Sequence, residues 1–351
     1  MTSNRLVGVF VFPEIWKDLC RFKSLLAGFR RCGVNAIMTE SDAYSAAAIN
    51  AAHDAGLRFY AGLSCFSDHA SNFSKLRSRP ELWPVLETGE RRQQMEWYIG
   101  LSPADLKHQD DILKRIGATA AAHPLDGLFL DFVRWPLHWE IELRPGRPRP
   151  PDSSFDATTL ARFEEATGVL IPSDLDAVSA RASWIREQHF EQWVDFKCRV
   201  VTDFVTEARS ALETAKPGAE LGIYVVPNVD DLTEKLTGQR IGDLARLAHW
   251  LSPMIYHNIL LRPPSWVGEA VADVVRKAGR KTLPVLQADS NRDPSLAADW
   301  GPPMSGADWT AALAEVATRS DVGGVIAFPG MALSGSDGRG EALRAMVGKW
   351  R

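Results

Sequence analysis

Three observations predict a (β/α)8 barrel of the TIM type. Short apolar strands alternate with helical segments over the whole chain, in the rhythm of a parallel sheet. One strand, inside Leu125–Pro136 (LDGLFLDFVRWP), carries Leu128, Phe129, Leu130, Phe132 and Val133 around a single Asp131. Such a run suits a strand covered on both faces. The stretch after the first strand, VFVFPEIW, has no glycine for a phosphate or dinucleotide turn, which disfavours an open doubly wound sheet. The 351 residues suit one barrel domain, 1–351, with excursions at about 64–103 and 137–181.

Arg5–Phe12 reads as the first strand, a helix runs from about Trp16 to Cys32, and Gly33 closes it. Asn35–Met38 is the second strand, with Glu40 and Asp42 just beyond it. The alanine-rich helix Ala46–Ala55 ends at Gly56, and Arg58–Leu63 is the third strand. The Ser-, Arg- and Trp-rich segment Cys65–Gly100 then breaks the rhythm. Loops this long usually shape a site, so Trp97 and the WYIGLSP stretch are placed on the substrate side. Ala104–Ala121 is a helix with Ser102 as its N-cap, leading to the fourth strand, Gly127–Val133.

The turn-rich, locally basic Leu137–Pro151 follows, then a helix over Phe155–Thr167 broken at Gly168, and a linker over Pro172–Ala180. Ala182–Leu212 reads as one long helix, because apolar residues recur at three- and four-residue spacing. Strands five to eight are Leu221–Val226, Trp250–Tyr256, Lys281–Gln287 and Gly323–Phe328. Helices over Ile241–Ala248, Trp266–Ala278, Ala307–Thr318 and Glu341–Lys349 alternate with them.

Composition narrows the function classes. The net charge of −4, from 40 basic and 44 acidic residues with no basic block, argues against nucleic acid as a partner. The N-terminal MTSNRLVGVFVFPEIW lacks the features of a secretory signal and is too short to span a bilayer. Cys20, Cys32, Cys65 and Cys198 lack CxxC spacing and read as reduced thiols. A cytoplasmic protein without membrane partners is therefore expected, with oligomeric state open and a homodimer as one option. Twelve tryptophans against five tyrosines supply flat apolar faces with one polar edge, which suit sugar rings.

Active sites of this fold lie at the C-terminal ends of the strands. The polar residues expected there include Glu14, Glu40, His69, Asp131, Arg134, Asn228, Asp230, Tyr256, His257, Asn258, Gln287 and Asp289, with Tyr44, Trp97, Trp135, Trp139 and Trp266 near the rim. Hydrolysis of a glycosidic bond needs one carboxyl group to protonate the leaving oxygen and another to attack or to activate water. Asp131 is the choice for the second role, with Asp230 and Glu40 favoured as acid partners and Asp289 as a further candidate. Arg134, Trp135, Tyr256, His257, Asn258, Asp289, Gln287 and Trp97 are expected to bind substrate. The competing structural reading of Asp131 is an ion pair with Arg134. Cys65, near His69, reads as a spectator thiol.

The segment DGLFLDFVRWP resembles the DG[I/L]xxDY[I/V]RYP motif of a bacterial family of glycosyl-hydrolase-like barrels. FDATTLARFEEATG, WIREQHFEQWVDFKCRVVTDFVTEAR, ELGIYVVP and HWLSPMIYHN follow in the order of that family's later segments, so the resemblance covers roughly Asp126 to Asp289. It implies a TIM barrel acting on a glycoside or polysaccharide, with Asp131 as a catalytic group. Phe132 and Trp135 replace the family's usual tyrosines, and His249 stands where an Asp is common. The expected function is therefore a glycoside hydrolase acting on an oligosaccharide or glycoside with no cofactor. Two alternatives stay open: a metal-dependent lyase, isomerase or hydrolase built on Asp131, His257 and Asp289, and a non-catalytic carbohydrate-binding barrel. No HxH, HExxH or Cys/His pairing supports a metal site.

Overall fold

The computed structural model describes residues 5–41, 43–69, 74–95, 97–227, 232–290 and 300–350. Its ten strands are β1 (Leu6–Phe10), β2 (Ala36–Glu40), β3 (Arg58–Ser64), β4 (Ser67–His69), β5 (Tyr98–Gly100), β6 (Gly127–Asp131), β7 (Glu220–Val225), β8 (Trp250–Ile255), β9 (Val285–Gln287) and β10 (Gly324–Phe328). Eight of them close a parallel barrel in the order β1-β10-β9-β8-β7-β6-β3-β2, while β4 and β5 form a separate antiparallel hairpin. The predicted (β/α)8 barrel is therefore observed. Among the described residues, no helix is long and apolar enough to cross a membrane.

Period-two alternation sorts the side chains into two cores. Leu128 and Leu130 of β6 point outward and pack with Val7, Ile37 and the helix layer. Phe129 points inward, joining Met38, Tyr60, Tyr224 and Ile326 in the barrel interior. Asp131, two residues after Phe129, and Glu40, two after Met38, therefore sit on the interior side where their strands end. Gly222 on β7 makes room for this layer. A Cβ there would come within 2.4 Å of the Phe129 ring.

Several boundaries differ from expectation. β6 ends at Asp131, because Phe132 adopts a left-handed φ of 53°. Asp105, not Ser102, caps the helix Leu106–Ala122, accepting a 2.7 Å bond from the His108 N–H. Ser102 instead lies 2.9 Å from the Thr159 hydroxyl. The long helix over 182–212 is two, Val178–Gln188 and Phe190–Ala215, interrupted at His189. The apolar spacing persists across the break, so periodicity does not reveal it.

The second excursion is tied to the barrel by a buried ion pair. Lys197 Nζ lies 2.6 Å from Asp152 Oδ1, with relative exposures of 0% and 8% for the two side chains. The Trp193 indole N–H donates to Asp152 Oδ2 at 2.9 Å, and Lys197 also donates to the Lys235 carbonyl at 3.0 Å. Removing one partner strands the other charge in the core. Asp152→Ala is expected to lower unfolding free energy by roughly 3–5 kcal/mol in urea melts, and Asp152→Leu with Lys197→Met to recover most of it.

Candidate active site

A cavity of about 280 Å3 opens at the C-terminal end of the barrel. Seven of the eight barrel strands line it: Phe10 (β1), Glu40 (β2), Asp131 (β6), Tyr224 (β7), Met254 (β8), Val285 (β9) and Phe328 (β10). One wall is aromatic. Tyr256 stacks on Phe328 at 5.0 Å, Phe328 on Trp300 at 5.1 Å, and Trp300 on Trp97 at 6.4 Å. The polar groups Glu40, His69, Asp131, Arg134 and Glu140 complete the lining.

Asp131 Oδ1 accepts a 2.6 Å bond from the Phe132 N–H. Burial, followed by the nearby Glu40, pushes its pKa up to about 6, against the opposing pull of Arg134, the Phe132 N–H and His69. The carboxyl touches the cavity but is otherwise enclosed by protein, so its charge is poorly solvated. Asp131 and Arg134 form no ion pair among the described residues, so the expected structural pairing of the two is not there.

Glu40 accepts from the Ser64 hydroxyl at the end of β3. The same hydroxyl lies 2.9 Å from His69 Nε2, which is 3.2 Å from Ser67 Oγ and 3.9 Å from Glu40 Oε1. Because Ser64 has one proton and gives it to Glu40, its oxygen accepts from His69, which places a proton on Nε2. The β4–β5 hairpin thus brings His69 to the carboxylate that β2 supplies.

Glu140 is the residue that sequence reasoning missed. It sits in the short helix Trp139–Glu142 of the second excursion, is 5% exposed, and reaches the cavity. The Tyr98 hydroxyl donates to its Oε2 at 2.9 Å. Burial pushes the Glu140 pKa up to about 7, against Arg134, its own backbone N–H and Tyr98. Its sequence signal is faint: acidic residues set among tryptophan and isoleucine in HWEIE, a few residues past the Asp131 strand. The helix is anchored through Glu142, which pairs with Arg92 from the first excursion and accepts from the His138 N–H at 2.7 Å. Arg92 also donates to Ser153 Oγ at 2.8 Å.

The other expected site residues divide sharply. Tyr256 and Trp97 line the cavity, as do Arg134 and Trp139. Trp135 does not: it is fully buried, donates its indole N–H to the Lys197 carbonyl at 3.0 Å and packs on Phe196. The turn at Phe132 sends Phe132 and Arg134 to the cavity and Val133 and Trp135 to the core. His257, 2% exposed, is also outside the cavity, and burial pushes its pKa down to about 4. Asn258 and Gln287 act as braces. Asn258 Nδ2 donates to the Trp300 and Pro302 carbonyls at 3.3 and 2.8 Å. Gln287 donates to the Trp300 carbonyl at 3.0 Å and accepts from the Ile259 N–H at 2.9 Å. Both therefore position the aromatic wall from behind.

Asp289 lies 3.1 Å from Arg339 and lines a neighbouring polar cavity, which shares Phe12, Trp300 and Phe328 with the first. Tyr44 and Trp266, expected at the rim, line neither cavity. Asp230, with Asn228, and Asp42 lie outside the described residues. Cys65 is buried, and desolvation pushes its thiol up to about 12. The metal set Asp131, His257 and Asp289 is not brought together. Among the described residues, no group of three or more His, Cys, Asp or Glu side chains is placed to hold a metal ion.

The fold and this mouth define a (β/α)8 barrel with a partly polar, aromatic-walled cavity at the C-terminal end of its strands. The chain is similar to the catalytic domain of β-amylase from Paenibacillus polymyxa, with a TM-score of 0.67, 13% identity and 100% of both chains covered. It is also similar to β-galactosidase from the psychrophilic Marinomonas ef1, with a TM-score of 0.66 and 12% identity over 98% of this chain and 59% of that one. α-L-Fucosidase isoenzyme 2 from Paenibacillus thiaminolyticus gives a TM-score of 0.57 at 12% identity, over 98% and 49% of the two chains. At these identities the likeness establishes the fold. No family model and no curated protein sequence matches the chain.

The raised Asp131 pKa has a consequence for stability. Its folded value, about 6, exceeds the ordinary 3.8, so ionisation destabilises the fold progressively as pH rises through that window. Asp131→Asn is expected to be more stable than the parent by on the order of 1–3 kcal/mol above pH ~7, with the difference vanishing below pH ~4. Denaturant melts at the two pH values check this.

Proposed function

We propose that the protein is a glycoside hydrolase in which Asp131 is the nucleophile or general base and Glu140 the general acid. One observation carries this reading: two carboxyl groups, both with proton affinity raised by burial, share an aromatic-walled cavity at the C-terminal end of a barrel. Asp131, at the end of a barrel strand, is the group placed to attack the anomeric carbon or to activate water. Glu140, whose proton affinity burial raises, can deliver a proton to the leaving oxygen.

In this mechanism Glu40 supplies the negative charge that, after burial, lifts Asp131, and the Ser64–His69 contacts hold that charge in place. Tyr98 aims the Glu140 carboxyl. The stacked wall from Tyr256 to Trp97 offers the apolar face that the C–H side of a sugar ring requires, and excluding water strengthens every polar contact inside. The likeness to barrels that act on glycosides supports the class of substrate.

The pH dependence follows in sign from the two groups. Activity is expected to rise with pH as Asp131 ionises near 6 and to fall as Glu140 loses its proton near 7, giving a narrow bell of kcat/KM. Turnover of an aryl-glycoside panel by wild type, Asp131→Asn and Glu140→Gln tests the roles. Asp131→Asn is expected to lose at least ~10²–10⁴-fold with every substrate. Glu140→Gln is expected to lose as much on poor leaving groups and little on dinitrophenolate, which needs no proton. An Asp131→Asn variant with wild-type turnover would overturn the assignment.

A further inference from the structure

Four arginines of the described chain are buried, and three of them are well partnered. Arg92 is held by Glu142 and Ser153, Arg144 donates to the Ile259 carbonyl, and Arg339 is held by Asp289, Asp337 and the Met304 carbonyl. Arg134 is the exception. It is 3% exposed and lines the cavity, yet it has no hydrogen bond or ion pair with any described residue. Its Nε is buried without a partner. Its guanidinium carbon lies over the Phe132 ring, 4.5 Å from the centroid. Asp131 and Glu140 both feel its charge, but neither pairs with it.

A buried guanidinium with unmet donors is costly, and its planar fork is shaped for two parallel bonds to one carboxylate. A sugar hydroxyl would meet one donor and leave the charge unbalanced. Glu40, Asp131 and Glu140 make the remaining polar lining hostile to an anion, so an acidic ligand has one place to put its charge. Its ring can then lie along the aromatic wall. A cavity of about 280 Å3 is close to the lower end of ligand sites, which suits one ring rather than a long chain.

We propose that Arg134 receives a carboxylate of the ligand, so that the cavity takes an acidic sugar, a uronic acid or uronosyl unit, in preference to a neutral hexose. The inference rests on the glycosidase reading for the ligand being a sugar. Its experiment reads binding rather than turnover, so the two can fail separately. The full chain is titrated with glucuronate, galacturonate, glucose, galactose and acetate, following fluorescence of the cavity tryptophans and heat by calorimetry.

The uronates are expected to bind about tenfold or more tightly than their neutral counterparts and than acetate. Arg134→Met should abolish that preference, Arg134→Lys should restore part of it, and Asp131→Asn should keep it. Thermal melts verify that each variant is folded, and the lysine variant serves if the methionine variant is not. Equal binding of neutral sugars, acetate binding as well as the uronates do, no uronate binding, or a preference that survives in Arg134→Met would each overturn the proposal. Uronate binding with no turnover of any glycoside or uronide would leave it standing and sink the hydrolase reading instead.

Discussion

The site depends on how the chain leaves the fourth barrel strand. Alternation along β6 places Asp131 above Phe129 on the interior face, and the next residue then takes a left-handed φ of 53°. For an aromatic residue that conformation costs about 1–3 kcal/mol and persists only where neighbours over-determine it. Here they do. The Phe132 N–H is held by Asp131, its carbonyl accepts from the Phe66 N–H at 3.2 Å, and its ring packs on Tyr98 at 4.8 Å and on His69 at 5.5 Å. The same turn keeps Arg134 on the cavity side and drives Trp135 into the core. One strained residue thus decides which of four consecutive side chains can meet a ligand.

The rest of the polar lining is built by two excursions that clasp each other. The first supplies His69 and Trp97, with Tyr98 behind them; the second supplies Trp139 and Glu140. They meet through Tyr98–Glu140 and Arg92–Glu142, and through an antiparallel bridge between Leu86 and Ser153. The Asp152–Lys197 pair fastens the second excursion to the helix layer. A carboxyl group on such a segment keeps its aim only because both sides of the clasp are anchored. This is the support that a catalytic group on a loop needs if it is to work as one on a strand does.

Desolvation connects the aromatic wall to the chemistry. The bulk that stacks from Tyr256 to Trp97 is also bulk that keeps water away from Asp131 and Glu140, and burial is the first cause of the rise in both. Placing those carboxyls in this cavity costs folding free energy and raises the proton affinity of both. Stability and reactivity are set against each other at one place, as is common where activity needs a strained or poorly solvated group.

The sequence by itself determined the barrel, its strand order along the chain and the position of Asp131. Each of these is written in local signals: apolar runs, glycine-terminated helices and a lone charge at the end of a strand. The same signals placed Glu40, Arg134, Tyr256 and Trp97 near the mouth, because strand ends and long loops of a barrel converge there. Only the tertiary structure decided that Trp135 is core and Arg134 is not, since that choice rests on one φ angle. Only it brought Glu140 to the cavity, because the contact with Tyr98 spans forty-two residues and two loops without period. It likewise turned Asn258 and Gln287 from expected ligand contacts into braces for Trp300. A side chain's neighbours across a barrel mouth depend on closure of the whole sheet, and no short stretch of sequence encodes that.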